Sequence, residues 1–358
     1  MKPAYVGLHT LGLHTFRRGR ATVADIMGAN ATPTQLQKPV RLGSDLEIKP
    51  NARLAKLTTF RVGGHAQWLT LPKTSGQLQD AVAWGNEQGL PITLLGAGSN
   101  LLISDRGLPG LIICTRALRH SEFDAKTGRV VAAAGEPWSS LAWKAARSGL
   151  QGFEWTIGIP GTVGGAVVMN AGAHGGETAD ILVETEILDL DGTLQVLKPE
   201  SLDYRYRTSN LQGSERIVTS ATFQLSPGHS SDAVKAATAS DLKQRRTTQP
   251  YHLPNCGSVF RNPVFRNPID AASNVASNVG ASGKTYGAGQ LIERAGLKGY
   301  QIGEAQISTL HANFIVNLGG ARADDVLALI RHAQAVIRDR NGIELETEVK
   351  VMGAFEAG

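Results

Sequence analysis

Seven glycines crowd residues 157–177, IGIPGTVGGAVVMNAGAHGGE: Gly158, Gly161, Gly164, Gly165, Gly172, Gly175 and Gly176. Inside a helix or strand each glycine costs roughly 0.5–1 kcal/mol against alanine, so no ordinary element interior tolerates this density. Either the backbone winds into tight turns packed on another sheet, or something flat or phosphorylated lies against it. A shorter glycine segment, LLGAGSNLL (residues 94–102), lies upstream, directly after an apolar strand-like run. Gly96 and Gly98 there let backbone N–H groups approach a phosphate, with the Ser99 hydroxyl and Asn100 amide as further donors. It lacks the third glycine of the doubly wound dinucleotide fingerprint, because Leu101 stands at that position, and alone it is equally a tight turn. Together the two segments suggest a dinucleotide held between two subdomains.

A chain of 358 residues exceeds the usual size of a single core, so two or three domains are expected. No apolar run is long enough to cross a bilayer. Cys114 and Cys256 stand far apart in no metal-ligand spacing, which argues against a disulfide framework and a metal site and suits a reducing, cytoplasmic setting. The net charge of +5 suits nucleic acid or a small phosphorylated ligand. Scattered basic residues without an aromatic stacking motif disfavour the nucleic-acid alternative.

The order of patterns predicts an α+β protein. The basic opening, MKPAYVGLHTLGLHTFRRGR, lacks the features of a secretory signal. Residues 1–50 are therefore expected to form a disordered extension, with order beginning near Leu57. A βαβ-like unit follows over 51–117, a strand-rich region over 118–230, and a helix-bearing region over 231–358 whose longest helix stops at Asn341-Gly342.

Three further stretches carry reactive side chains. In LDYRYRTSN, Tyr206 and Arg207 precede two hydroxyl residues; such a guanidinium holds a carboxylate or phosphate, or lies on a basic strand edge. In NCGSVFRNPVFRNPID, Ser258 follows Gly257 in what is commonly a structural turn, and VFRNP occurs twice in succession. In IELETEVKVMG, apolar and charged residues alternate, which by period alone puts Glu348 on a solvated strand face.

LLGAGSNLLISDRG, GIPGTVGGAVVMNAGAHGGE, YRYRTS, GSVFRNP, AGQLIERAGLKG, HANFIVN and LETEVKVMG, in that order from about residue 57 to 353, resemble the UDP-N-acetylenolpyruvoylglucosamine reductase family of peptidoglycan synthesis. The resemblance implies a two-subdomain FAD-binding fold of the vanillyl-alcohol-oxidase type, plus a C-terminal substrate domain whose last strand can return to the FAD region. It also implies NADPH as co-substrate and reduction of UDP-N-acetylglucosamine enolpyruvate by a cytoplasmic, monomeric enzyme that needs neither metal, nucleic acid nor membrane. By motif matching, Gly96, Ala97, Gly98, Ser99, Asn100, Leu101, Ile159, Pro160, Gly161, Gly164, Gly165 and Arg246 fall at FAD-holding positions. Arg207, Ser258 (proton donor) and Glu348 fall at catalytic ones. Tyr206, Asn262 and His311 match substrate contacts. A carboxylate beside a developing enolate must be neutral, so Glu348 is expected to be protonated through burial and nearby negative charge. The chain resembles the compact subtype without the extra substrate loop. Gln249 replaces a phosphate-binding lysine of some members, leaving Arg245, Arg261 and Lys298 as candidates to balance that charge. The first VFRNP copy has the family spacing, and the second reads as a loop expansion. Another flavin enzyme on the same fold would share the glycine segments without needing this catalytic trio.

Overall fold

The computed structural model describes residues 38–43, 45–263 and 286–355. The first 37 residues, the second VFRNP copy and the ASNVASNV repeat lie outside the described residues.

The first layer is a five-stranded sheet in the order β1-β2-β3-β6-β4, made of β1 (Val40–Leu42), β2 (Leu46–Arg53), β3 (His65–Thr70), β4 (Ile92–Leu95) and β6 (Leu108–Cys114). Strands β1 and β2 thus lie ahead of Leu57, within the stretch expected to be a disordered extension. The alternation in β2 buries Leu46 and Ile48 on the sheet's core face, which the polar composition around them obscured. Both β3 and β4 pair in parallel with β6, so the intervening helix α1 (Ser75–Glu87) is their crossover. Thr74 starts it by accepting from the Gln77 N–H at 3.2 Å, and Gly89, at φ +61°, stops it. Leu78, Ala81, Val82 and Gly85 form its buried stripe.

The middle layer is antiparallel, in the order β12-β11-β13-β8-β7: β7 (Ser121–Phe123), β8 (Arg129–Ala133), β11 (Leu182–Asp189), β12 (Leu194–Leu197) and β13 (Arg216–Gln224). A short hairpin, β9 (Gly172–Ala173) and β10 (Gly176–Glu177), carries the end of the long glycine segment. Helix α2 (Trp138–Arg147) covers the sheet, and Trp138, Phe153 and Phe223 meet ring to ring at 5.4–5.5 Å. Helix α3 (Val163–Met169) runs out of the glycine segment itself. Helix α4 (Ser231–Thr248), expected to open the third region, packs on this layer instead: Leu242 joins its core and Arg245 Nη2 donates to Trp155 O at 3.2 Å.

The third core begins at Cys256 and gathers α5 (Ala288–Arg294), α6 (Ala323–Asn341) and the small sheet β14 (Gln301–Ile302), β15 (Ala305–Ile307) and β16 (Ile315–Asn317). It is not closed on itself. Phe60, Val62 and Leu102 from the first layer complete it. The last strand, β17 (Lys350–Met352), then pairs in parallel with β5 (Leu101–Ile103), the strand that leaves the first glycine segment.

Phe60 is fully buried in a core that two layers share. Phe60→Ala is expected to cost about 3–5 kcal/mol, seen as a lower urea midpoint. The first and third layers should still unfold together, followed by fluorescence and circular dichroism.

Candidate active site

A cleft of about 1430 Å3 opens where the three layers meet. Gly96 to Leu101 line it from one side, and Ile159, Pro160, Gly161, Gly164 and Gly165 from the other. The two segments touch: the Ser99 hydroxyl donates to Pro160 O at 3.0 Å, and a Cβ on Gly96 would meet Thr162 Oγ1 at 2.8 Å. Gly98 adopts φ +63°, and a Cβ there would fall 2.4 Å from Leu57 O. Arg116 braces the turn from below, Nη2 donating to Leu57 O and Ala97 O at 2.8 and 2.9 Å. Ser99 and Asn100 thus each commit a donor within the protein, Asn100 Nδ2 donating to Glu348 O at 3.0 Å.

Arg207 reaches the same cleft from a tight turn. Arg205 and Thr208 exchange two backbone hydrogen bonds of 3.0 Å, leaving Tyr206 and Arg207 at the tip, with Arg207 at φ +55°. Its guanidinium lies 4.9 Å from the Tyr206 ring centroid and donates through Nη2 to Gly172 O. Its Nε sits 3.3 Å from Glu348 Oε1.

Glu348 is therefore not on a solvated face. Strand β17 starts only at Lys350, and before it the Glu348 N–H donates to Val259 O, which turns the side chain into the cleft. Burial pushes its carboxyl above the ordinary glutamate range, while the charges of Arg207, Arg261 and Lys350 pull the other way. Raised protonation was expected from burial and negative neighbours; burial is present, but these charged neighbours are positive.

Ser258 sits where the cleft adjoins a second cavity of about 270 Å3 and lines both. Gly257, at φ +80°, makes the turn before it, and its N–H donates to Asn255 Oδ1. Beyond Ser258 the chain is locked by Asn313, whose amide pairs with the backbone of Phe260 in both directions at 3.0 and 2.8 Å. Asn262 also lines both cavities, and its Oδ1 accepts from the Ala288 N–H. His311 lines only the smaller cavity; its Nδ1 accepts from the Asn313 N–H, and burial holds the ring's pKa down, keeping it neutral. Tyr206 lines the cleft and is half exposed.

The cleft gathers the glycine segments with Tyr206, Arg207, Ser258, Asn262 and Glu348. It does not gather Arg246, which is exposed on α4 and absent from the lining; the neighbouring Arg245 turns inward instead. The sequence could have indicated this through helical phase, because Arg245 lies eleven residues after the buried Val234 and seven after the buried Thr238, on the same face. Trp138, which no sequence motif singled out, also borders the cleft.

The residues present fit a dinucleotide. Bare glycine backbone forms two walls, and two buried donors of the lining, Trp138 Nε1 and Arg245 Nε, have no partner among the described residues. The volume exceeds the roughly 300–1,000 Å3 typical of one small-ligand site, leaving room for a second molecule.

Residues 66–198 match the family described as FAD binding domain, and residues 249–352 that described as UDP-N-acetylenolpyruvoylglucosamine reductase, C-terminal domain. Among curated proteins, the UDP-N-acetylenolpyruvoylglucosamine reductases of Trichormus variabilis and Nostoc sp. are 52% and 53% identical, each over 92% of this chain and 93% of its own length. That of Synechocystis sp. is 48% identical over 92% of this chain and 99% of its own. The crystal structure of UDP-N-acetylenolpyruvylglucosamine reductase from Thermus caldophilus superposes with a TM-score of 0.67 at 35% identity, covering 86% of this chain and 99% of that one.

Gly98→Ala should displace the first glycine segment, since the added methyl has no room. The expected outcome is a purified protein with reduced flavin absorbance at an unchanged circular dichroism spectrum; full flavin content would show that the turn does not bound the cofactor.

Proposed function

Because the chain belongs to the UDP-N-acetylenolpyruvoylglucosamine reductase family, we propose that Arg207, Ser258 and Glu348 carry out its reaction. That reaction is the NADPH-dependent reduction of UDP-N-acetylglucosamine enolpyruvate to UDP-N-acetylmuramate, a step of peptidoglycan precursor synthesis. The observation that carries the assignment is that Arg207, from the middle layer, and Glu348, from the third, meet at 3.3 Å in the cleft that both glycine segments line.

The segments 96–101 and 159–165 would hold FAD, which would supply the hydride chemistry linking NADPH to the terminal carbon of the enolpyruvyl group. Negative charge then develops on the neighbouring carbon and its carboxylate. Arg207, permanently cationic, faces that carboxylate, and aimed charge in a dry site is worth a few kcal/mol to the transition state. Ser258 gives its hydroxyl proton to the carbanionic carbon; a serine is a weak acid, but so basic a centre needs no stronger one. The negative neighbour that Glu348 lacks among the described residues arrives with the substrate. Its carboxylate engages Arg207, removes the attraction that favours ionised Glu348, and adds repulsion to the burial that already raises the pKa. Glu348 therefore holds a proton and can donate a hydrogen bond to the enolate.

Tyr206 and Asn262 border the substrate's position, and His311 closes the smaller cavity beyond Ser258. Arg246 contacts the cofactor only if its exposed side chain folds back over the rim. Arg245, buried on the lining, is the better placed of the three candidates to balance substrate phosphates near Gln249. NADPH and the sugar substrate occupy one cleft in turn. The enzyme works as a cytoplasmic monomer on small molecules, without nucleic acid. Its two cysteines support the cytoplasmic setting, being buried free thiols, with Cys256 pushed up to about 12 by burial.

Under anaerobic conditions one equivalent of NADPH should bleach the flavin bands, and the enolpyruvyl sugar should restore them. Ser258→Ala should leave bleaching intact and slow the return by about 10^2–10^4-fold. Bands that return only with oxygen would assign another substrate. The return step should also weaken as pH rises through the elevated pKa of Glu348, since the protonated form is the active one. Glu348→Gln, neutral throughout, should lose that alkaline limb in a stopped-flow pH profile.

A further inference from the structure

Arg261, the arginine of the first VFRNP copy, is not on the cleft wall, although Phe260 and Asn262 on either side of it are. Its side chain crosses instead from the third layer to the middle one, where Nη2 donates to Arg207 O at 3.2 Å. The same carbonyl accepts from Gln212 Nε2 at 2.9 Å.

That carbonyl belongs to a strained residue. Arg207, at φ +55°, occupies the left-handed region, where a Cβ crowds the backbone. At this turn position glycine or asparagine is favoured, and an arginine persists there only if its surroundings over-determine it. Donors on the carbonyl oxygen do so, because they fix the peptide plane that follows Arg207 and hence the direction in which its side chain leaves the turn.

Arg261 is built for this reach rather than for solvent. Its backbone N–H donates to Glu346 O at 2.9 Å, its Nη1 stands 4.0 Å from the largely exposed Glu346 carboxylate, and its Nε is buried without a partner among the described residues. The backbone also places it near the other half of the pair: Phe260 forms an isolated bridge with Thr347, and Glu348 N donates to Val259 O.

We propose that Arg261 is a positioning residue for the reaction: by holding the strained Arg207 turn from the third layer, it sets the direction in which Arg207 meets Glu348. This rests on the catalytic roles assigned above. It adds a second effect through charge. Glu348 is faced by Arg207 from the middle layer, by Arg261 and Lys350 from its own layer, and by the neutral Cys256 thiol, so removing Arg261 removes one of three cations that oppose its protonation.

The test separates the two half-reactions in the full-length flavoprotein, with Arg261→Met and Arg261→Lys. In Arg261→Met, bleaching by NADPH should stay within about twofold of wild type, while the return with the enolpyruvyl sugar slows by roughly 10–10^2-fold, the scale of a 1 Å misplacement. Its alkaline limb should move to higher pH, because Glu348 keeps its proton longer. Arg261→Lys, which retains the charge, should bring the limb back to the wild-type position and restore part of the rate. Equal slowing of both half-reactions in both variants, or a limb that does not move in Arg261→Met, would overturn the proposal. If Arg261→Met does not fold, a wild-type return rate in Arg261→Lys, which cannot reproduce the guanidinium geometry, would also overturn it. A wild-type protein whose bands never return with the enolpyruvyl sugar would instead count against the substrate assignment, leaving the two failures distinct.

Discussion

A permanent cation facing a largely buried carboxylate at 3.3 Å is the contact on which the site depends. Its members lie far apart in the chain, one at the tip of a turn in the middle layer and the other just ahead of the last strand. Bringing them together requires three separate devices: a core that borrows Phe60, Val62 and Leu102 from the first layer, a strand returned to the first glycine segment, and an amide, Asn100, that fastens Glu348's own carbonyl. The first is apolar, the second is backbone pairing and the third is a neutral amide. The polar centre is thus held by parts that do not react, as preorganised electrostatics requires.

Local patterns made most elements legible. The periodic stripe of α1, its Thr74 start and its Gly89 stop are all short-range signals, as is the Gly342 stop of α6, which adopts φ +66°. Residues 40–53 were less readable, because β2 carries Lys49, Asn51 and Arg53 on its outer face and buries only its first positions through long-range pairing with β3. The layer on which helix α4 packs is unreadable for a related reason. Helix α4 has few apolar residues, and nothing local tells which layer will receive Leu242.

The site was legible as a set of residue types, and its geometry was not. The density of glycines revealed a bare backbone surface; that Ser99 and Asn100 serve the protein's own carbonyls depends on where residues 160 and 348 arrive. Period two pointed Glu348 outward, because alternation assumes a continuous strand, whereas pairing with β5 begins only two residues later. Arg245 and Arg246 are indistinguishable by type. One residue step along the helix, not chemistry, decides which faces the cleft.

The pairing of β17 with β5 has a temporal meaning. Among the described residues β5 has no other strand partner, and it follows directly from the turn that bounds the cleft. During synthesis that turn is made early, yet its exit strand stays unpaired until some 250 further residues have emerged. Contacts of such sequence separation form late and slowly. The nascent chain therefore carries both glycine segments well before the acid that completes the cleft between them has been made.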